Sequence, residues 1–125
     1  MNDKKITYVK GQLNCAETII DAFNKEYNLE IPVAIGSGMG LGLTTGSVCG
    51  AVNAAAVIIG FLKGRNSKDE TNEARELVNK LMKMVKEKYN SEICFDLKSN
   101  KIDCQEIIEF VFEKTGTILD IEKNR

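Results

Sequence analysis

Histidine does not occur anywhere in the 125 residues. Its absence removes Ser-His, Cys-His and carboxylate-His catalysis, and with them the Cys₂His₂ and histidine-rich metal sites. Also missing is any Cys-x-x-Cys pair, the spacing used for vicinal thiol exchange and for zinc-ribbon knuckles. No hydrophobic run is long: the longest, Val48 to Leu62, is interrupted by Gly50 and Asn53 and falls short of the roughly 20 residues a bilayer requires. Charge of one sign is not in excess either. Basic residues number 17 and acidic residues 18, a net charge of −1, which offers no basic patch for phosphates and argues against a nucleic-acid or anionic-membrane partner. The charged start, Asp3-Lys4-Lys5, is not followed by the hydrophobic core of a signal peptide, so cytoplasmic residence is the expectation. With 43% apolar residues and no repeat or linker, positions 1–125 are expected to form a single domain around one core.

Helical periodicity is what the chain has in abundance. Asn14, with Glu17 three residues on, reads as a capping box, and Cys15, Ala16, Ile19, Ile20, Phe23 and Tyr27 form one apolar stripe, predicting a helix over 15–27. Before it, Asp3 to Val9 reads as a short helix or an arm ended by Gly11. The single proline, Pro32, opens a short helical turn. Ser47 reads as the cap of a helix ending near Lys63, with Gly64 as its stop. This segment, about 47–64, is apolar nearly all round, which predicts a central, buried helix. Ser67 with Glu70 predicts the start of a long amphipathic helix reaching Tyr89, where Asn90 and Ser91 break it. Its lysines 80, 83, 86 and 88 alternate with Glu76 and Glu87 and read as a solvated face. The last helix begins at Asp103, paired with Glu106, and stops at Gly116, leaving Thr117 to Arg125 as a tail. The expected fold is all-α, about five helices around the central one. So apolar a centre in so small a chain is also compatible with a homo-oligomer.

A glycine-rich segment, Gly36-Ser37-Gly38-Met39-Gly40-Leu41-Gly42, runs on to Gly46. It lacks the Gly-Lys-Ser/Thr ending of a P-loop, and its GxGxG spacing has neither the preceding strand nor the later acidic residue of a dinucleotide site. Its value is conformational: glycines let other groups approach the backbone. Gly38, Gly40 and Gly50 are the positions expected to face a bound centre.

The chemistry-bearing residues are Cys15, Cys49, Cys94 and Cys104, separated by 34, 45 and 10 residues. A lone cysteine is by default a buried thiol. Position changes that default here, because the caps place Cys15 and Cys104 first in their helices and Cys49 second in the central one. A helix N-terminus stabilises a thiolate, the nucleophilic and metal-binding form. Cys15, Cys49 and at least one of Cys94 and Cys104 are therefore expected to converge near the glycine-rich loop, as a dithiol or as ligands to a metal. Cys49, beside Gly50, is expected to carry the lowest pKa and to react first. Asp96, Asp103, Met39 and the hydroxyls of Thr44, Thr45 and Ser47 read as loop, cap and packing groups, and Tyr8, Tyr27 and Tyr89 as core-edge residues.

Asn-Cys-Ala at 14–16, the Gly-Met-Gly segment, Cys-Gly-Ala at 49–51, Cys94 ahead of Leu97 and a closing Cys104 resemble the redox-active protein family named for its C-GCAxxG-C-C pattern. That resemblance covers nearly the whole chain. The CGAxxG stretch reads Cys49-Gly50-Ala51-Val52-Asn53-Ala54 here, so alanine replaces the final glycine and close backbone approach at 54 is in question. The resemblance implies a helical fold and four cysteines that act in redox or hold a redox-active metal. The first expectation is an iron–sulfur cluster or another thiolate-bound metal, held by Cys15, Cys49, Cys94 and Cys104 for electron transfer with a redox partner protein or a small-molecule electron carrier. The alternatives are a metal-free thiol–disulfide protein working through Cys49 and Cys15, and a helical binding module whose cysteines only pack.

Overall fold

The structure of the protein is a computed structural model that describes residues 6–119. The first helix, α1, spans Cys15–Tyr27. The Asn14 side chain accepts from the Glu17 N–H, and the Glu17 carboxylate accepts from the Asn14 N–H, both at 2.8 Å. This reciprocal box fixes where the helix begins. Asn28, in left-handed backbone at φ 58°, ends it. As expected, Pro32 then leads into a single 3₁₀ turn, Val33–Gly36.

The second helix, α2, spans Gly50–Lys63 and packs against α1 and two later helices. Ala51, Ala54, Ala55, Ile58 and Ile59 are fully buried. Small residues on several faces let three neighbours pack closely, which gives it the expected central place. Its last turn departs from expectation, because Phe61 is 59% exposed. Ser47 does not cap it; Cys49 is the N-cap residue. The fully buried Ala54 shows that the core accommodates a methyl at that position.

The third helix, α3, spans Glu73–Tyr89. Ser67 and Glu70 do not start it but close a polar turn, in which the Glu70 carboxylate accepts from the Asn66 N–H. Asn72 takes the cap by accepting from the Arg75 N–H, with Glu73 and Glu76 in the first turn favoured by the helix dipole. Asn90 ends the helix at φ 63°, as expected. A fourth, short helix, α4, spans Cys94–Ser99. The fifth, α5, spans Cys104–Leu119 and runs through Gly116. That glycine serves packing rather than termination, since a methyl there would meet the Tyr27 hydroxyl at 3.0 Å. Asp103 accepts from the Glu106 N–H at 2.9 Å, while the Glu106 carboxylate accepts from the Tyr89 hydroxyl at 3.2 Å. The expected capping pair is thus half a box, with its glutamate turned to α3.

Five α-helices and no strand are found among the described residues, and the fold is all-α. One core joins α1, α2, α3 and α5, with Phe23, Tyr27 and Phe112 stacking between α1 and α5. Residues 3–5 of the proposed N-terminal arm and the tail beyond 119 lie outside the described residues. From Ile6 onward the arm is not helical. It is tied to α5: the Tyr8 N–H donates to the Gln105 side chain at 2.8 Å, and that amide donates to the Ile6 carbonyl at 2.6 Å.

Candidate redox site

All four cysteines line one cavity of about 60 Å³, with Gly50, Leu41, Tyr8 and Lys98 among its other walls. The expected convergence is present, and each cysteine stands at a helix start. Cys15, Cys94 and Cys104 are the first residues of α1, α4 and α5, and Cys49 is the N-cap of α2. The first-turn N–H groups of α1 and α2 bear on the sulfurs of Cys15 and Cys49, where the positive dipole end of each helix lies.

Three local devices bring these helix starts together. The glycine-rich loop is laid across α1 by the Asn14 amide, which donates to the carbonyls of Gly36 and Ser37 at 3.2 Å. The Ser37 hydroxyl meets the second oxygen of Glu17 at 2.8 Å. Two antiparallel backbone bonds join the entries to α2 and α4. Cys49 N–H donates to the Glu92 carbonyl at 2.9 Å, and Cys94 N–H donates to the Ser47 carbonyl at 2.7 Å. Gly50 supplies the third device. A methyl there would lie 2.7 Å from the Cys15 sulfur and 2.7 Å from the Met39 carbonyl. Only glycine lets that sulfur sit against the first turn of α2.

Between Leu41 and Gly46 the loop makes a left-handed turn, with φ of 54° at Leu41, 58° at Leu43 and 67° at Thr44. Such backbone costs a non-glycine residue about 1–2 kcal/mol. It is held by the Leu43 N–H on the Met39 carbonyl at 3.1 Å and the Ser47 N–H on the Gly42 carbonyl at 2.8 Å. The turn leaves the Leu41 N–H on the sulfur of Cys15.

Cys15 and Cys49 lie side by side on this cavity, and both are buried, 8% and 4% exposed. Cys15 drops from the ordinary 9.0 to about 6, chiefly because the Cys49 thiol donates to it; burial opposes this, and the N–H groups of Leu41, Cys15 and Ala16 assist it. Cys49 rises well above the ordinary value because it donates to Cys15, is buried and faces that negative charge. The N–H groups of Ala51 and Val52 only partly offset this. The expectation that Cys49 is the most acidic thiol is therefore reversed. Cys15 receives the larger set of donors, and two adjacent thiols cannot both ionise cheaply.

Cys94 and Cys104 are half-buried. Burial pushes Cys94 up, opposed by the Lys98 ammonium and reinforced by the nearness of Cys15 and Cys104. The Tyr8 phenol is raised by burial, by the charge of Cys104 and by its hydrogen bond to that sulfur. No disulfide is present among the described residues.

Other expected positions fall outside the cavity wall. Gly38 faces open space, and Gly40 packs on the Asn14 side chain, 2.8 Å from where its methyl would be. Asp96 accepts from the Ser91 hydroxyl, and Asp103 is a cap. Leu41 and Lys98 were not singled out from the sequence, and Tyr8 was read only as a core-edge residue. Lys98 carried a usable signal, because it follows Cys94 by four residues and so shares its helix face. Tyr8 carried none, since it arrives on a non-periodic arm.

A family model described as "Putative redox-active protein (C_GCAxxG_C_C)" matches residues 13–118. The chain belongs to this family. Neither the curated proteins nor the solved structures compared with it give a match. In this redox-active family the pattern now has a physical content here: four cysteines at four helix starts, and a glycine after the second that admits the sulfur of the first.

Proposed function

We propose that the protein is a thiol–disulfide redox protein in which Cys15 and Cys49 cycle between a hydrogen-bonded thiolate–thiol pair and a disulfide. The observation that carries this reading is that Cys15 and Cys49, both buried, line one cavity where the N-termini of α1 and α2 meet. Forming the disulfide gives two electrons to an oxidant and releases the thiol proton. Cys15 is the nucleophile, because it holds the negative charge. Cys94 and Cys104, half-exposed on the same cavity, are the route by which a redox partner protein or a small electron carrier exchanges electrons with the buried pair. The reading places the protein in the cytoplasm, where a reducing pool returns the pair to its thiol form.

A thiolate-bound metal, such as an iron–sulfur cluster, is the second reading, supported by four soft ligands lining one cavity. As they stand, no three cysteine, aspartate or glutamate side chains among the described residues are grouped to hold a metal ion. The donor chemistry fits but the arrangement does not, so no step is routed through a metal.

Metal analysis and thiol titration of anaerobically purified protein separate these readings. The dithiol reading expects four free thiols when reduced, two fewer after mild oxidation, and no stoichiometric metal. Stoichiometric iron or zinc whose removal frees the thiols would replace it with the metal centre. Thiols that never pair would leave only a packing role.

A further inference from the structure

We infer that the oxidant of the Cys15–Cys49 pair is a small hydroperoxide, admitted by the size of the cavity that holds both sulfurs. This rests on the dithiol reading and names its substrate class. Both sulfurs are buried, and the cavity that both cysteines line has a volume of about 60 Å³. A water needs roughly 10–15 Å³ of such space, so the cavity takes a few waters and not an aromatic or peptide disulfide. Its walls are largely apolar, with Leu41, Leu97, Ile102 and Ile107 among them, which disfavours an ionised oxidant. Hydrogen peroxide is neutral, spans two oxygens and carries its own leaving group.

The step balances with the groups present. The Cys15 thiolate attacks one peroxide oxygen, the O–O bond breaks, and Cys15 becomes a sulfenic acid as hydroxide leaves. The hydroxide takes the proton of the adjacent Cys49 thiol and becomes water. The Cys49 thiolate then attacks the Cys15 sulfur, forming the disulfide and expelling a second hydroxide, which solvent protonates. One peroxide and one added proton yield one disulfide and two waters, with two electrons passing from sulfur to oxygen.

The test uses the full reduced chain and three oxidants: hydrogen peroxide, cumene hydroperoxide and an aromatic disulfide. Pairing of Cys15 with Cys49 is followed by mass spectrometry. One equivalent of hydrogen peroxide should close the pair, faster than cumene hydroperoxide by roughly tenfold or more, the scale on which a tight apolar pocket discriminates by size. In Cys49→Ser, where a hydroxyl donor is retained, peroxide should leave a sulfenic acid on Cys15 that a sulfenic-specific nucleophile traps. Equal rates with the bulky oxidants, or no trapped adduct, would overturn the hydroperoxide assignment. Closure by the aromatic disulfide but not by peroxide would overturn it while keeping the dithiol reading. If no oxidant joined Cys15 to Cys49, the dithiol reading itself would fall.

Discussion

At the scale of single residues, the site turns on which of two neighbouring thiols keeps the proton. Cys15 gathers the Cys49 thiol and three backbone N–H groups, while Cys49 is the more deeply buried donor. The expected outcome is one thiolate that titrates near pH 6 and a second that ionises only well above 9. Alkylation resolved by site should therefore follow Cys15 as pH rises through about 6, with Cys49 remaining slow. A lower midpoint at Cys49 would refute the assignment. Cys49→Ala removes the largest cause of acidity and should return Cys15 toward 9.0. Gly50 is the other decisive residue. Its replacement by alanine puts a carbon 2.7 Å from the Cys15 sulfur and 2.7 Å from the Met39 carbonyl, so backbone or sulfur must move. Overpacking of this kind costs about 1–3 kcal/mol. Gly50→Ala should lower the denaturation midpoint and also raise the Cys15 pKa, since the displaced sulfur loses its donors. Unchanged values for both would show that the loop yields freely.

Among the elements, those whose signals are local were the ones legible in the sequence. Helix α1 begins and ends where its cap and stripe place it, because Asn14, Glu17 and the apolar positions all lie within one short stretch. The central helix and the all-α class were likewise readable from periodicity. What escaped has no local signature. Helix α4 is six residues long, too short for a stripe, so the start of Cys94 could not be seen. The bridge between Val48 and Ile93 joins residues 45 positions apart, and it is this bridge that places Cys94 beside Cys49. Ser67 and Glu70 matched a capping box but form a turn, because Asn72 offers a cap next to the acidic first turn of α3. The α3–α5 contact also supports a prediction of its own. Tyr89 is buried, packs edge-on against Phe110 and donates to Glu106, and its phenol is pushed up to about 12, by burial first and then by the Glu106 charge. A phenol with a raised folded-state pKa adds stability that is complete below the unfolded value near 10 and is lost as pH climbs toward 12. Denaturant titrations across that window should show stability falling with pH, and Tyr89→Phe should remove part of the slope. An identical slope in the variant would exclude Tyr89 as its source.

For the molecule as a whole, the redox state of the site is coupled to the stability of the fold. Cys15 and Cys49 stand at the starts of α1 and α2, the two helices that meet in the core, and 34 residues separate them. A disulfide between them would close all of α1 and the glycine-rich loop into one ring. It would restrict the unfolded chain far more than the folded one, where both cysteines already line one cavity. In the chain-entropy model a loop of this length is worth about 3–4 kcal/mol. Loss of the thiolate's hydrogen bonds offsets part of that gain, since each charged hydrogen bond contributes roughly 1.5–3 kcal/mol. The offset is smaller at low pH, where Cys15 is protonated in the reduced protein and those bonds are already weak. Oxidation should therefore raise the thermal midpoint, by an amount that grows as pH falls from about 9 toward about 6 and levels off below that. Paired calorimetric scans of the reduced and oxidised chain at neutral and mildly acidic pH make the comparison. A midpoint that fell on oxidation at both pH values would mean that the disulfide strains the helix starts, and the pair would then be a poor candidate for a stable oxidised state.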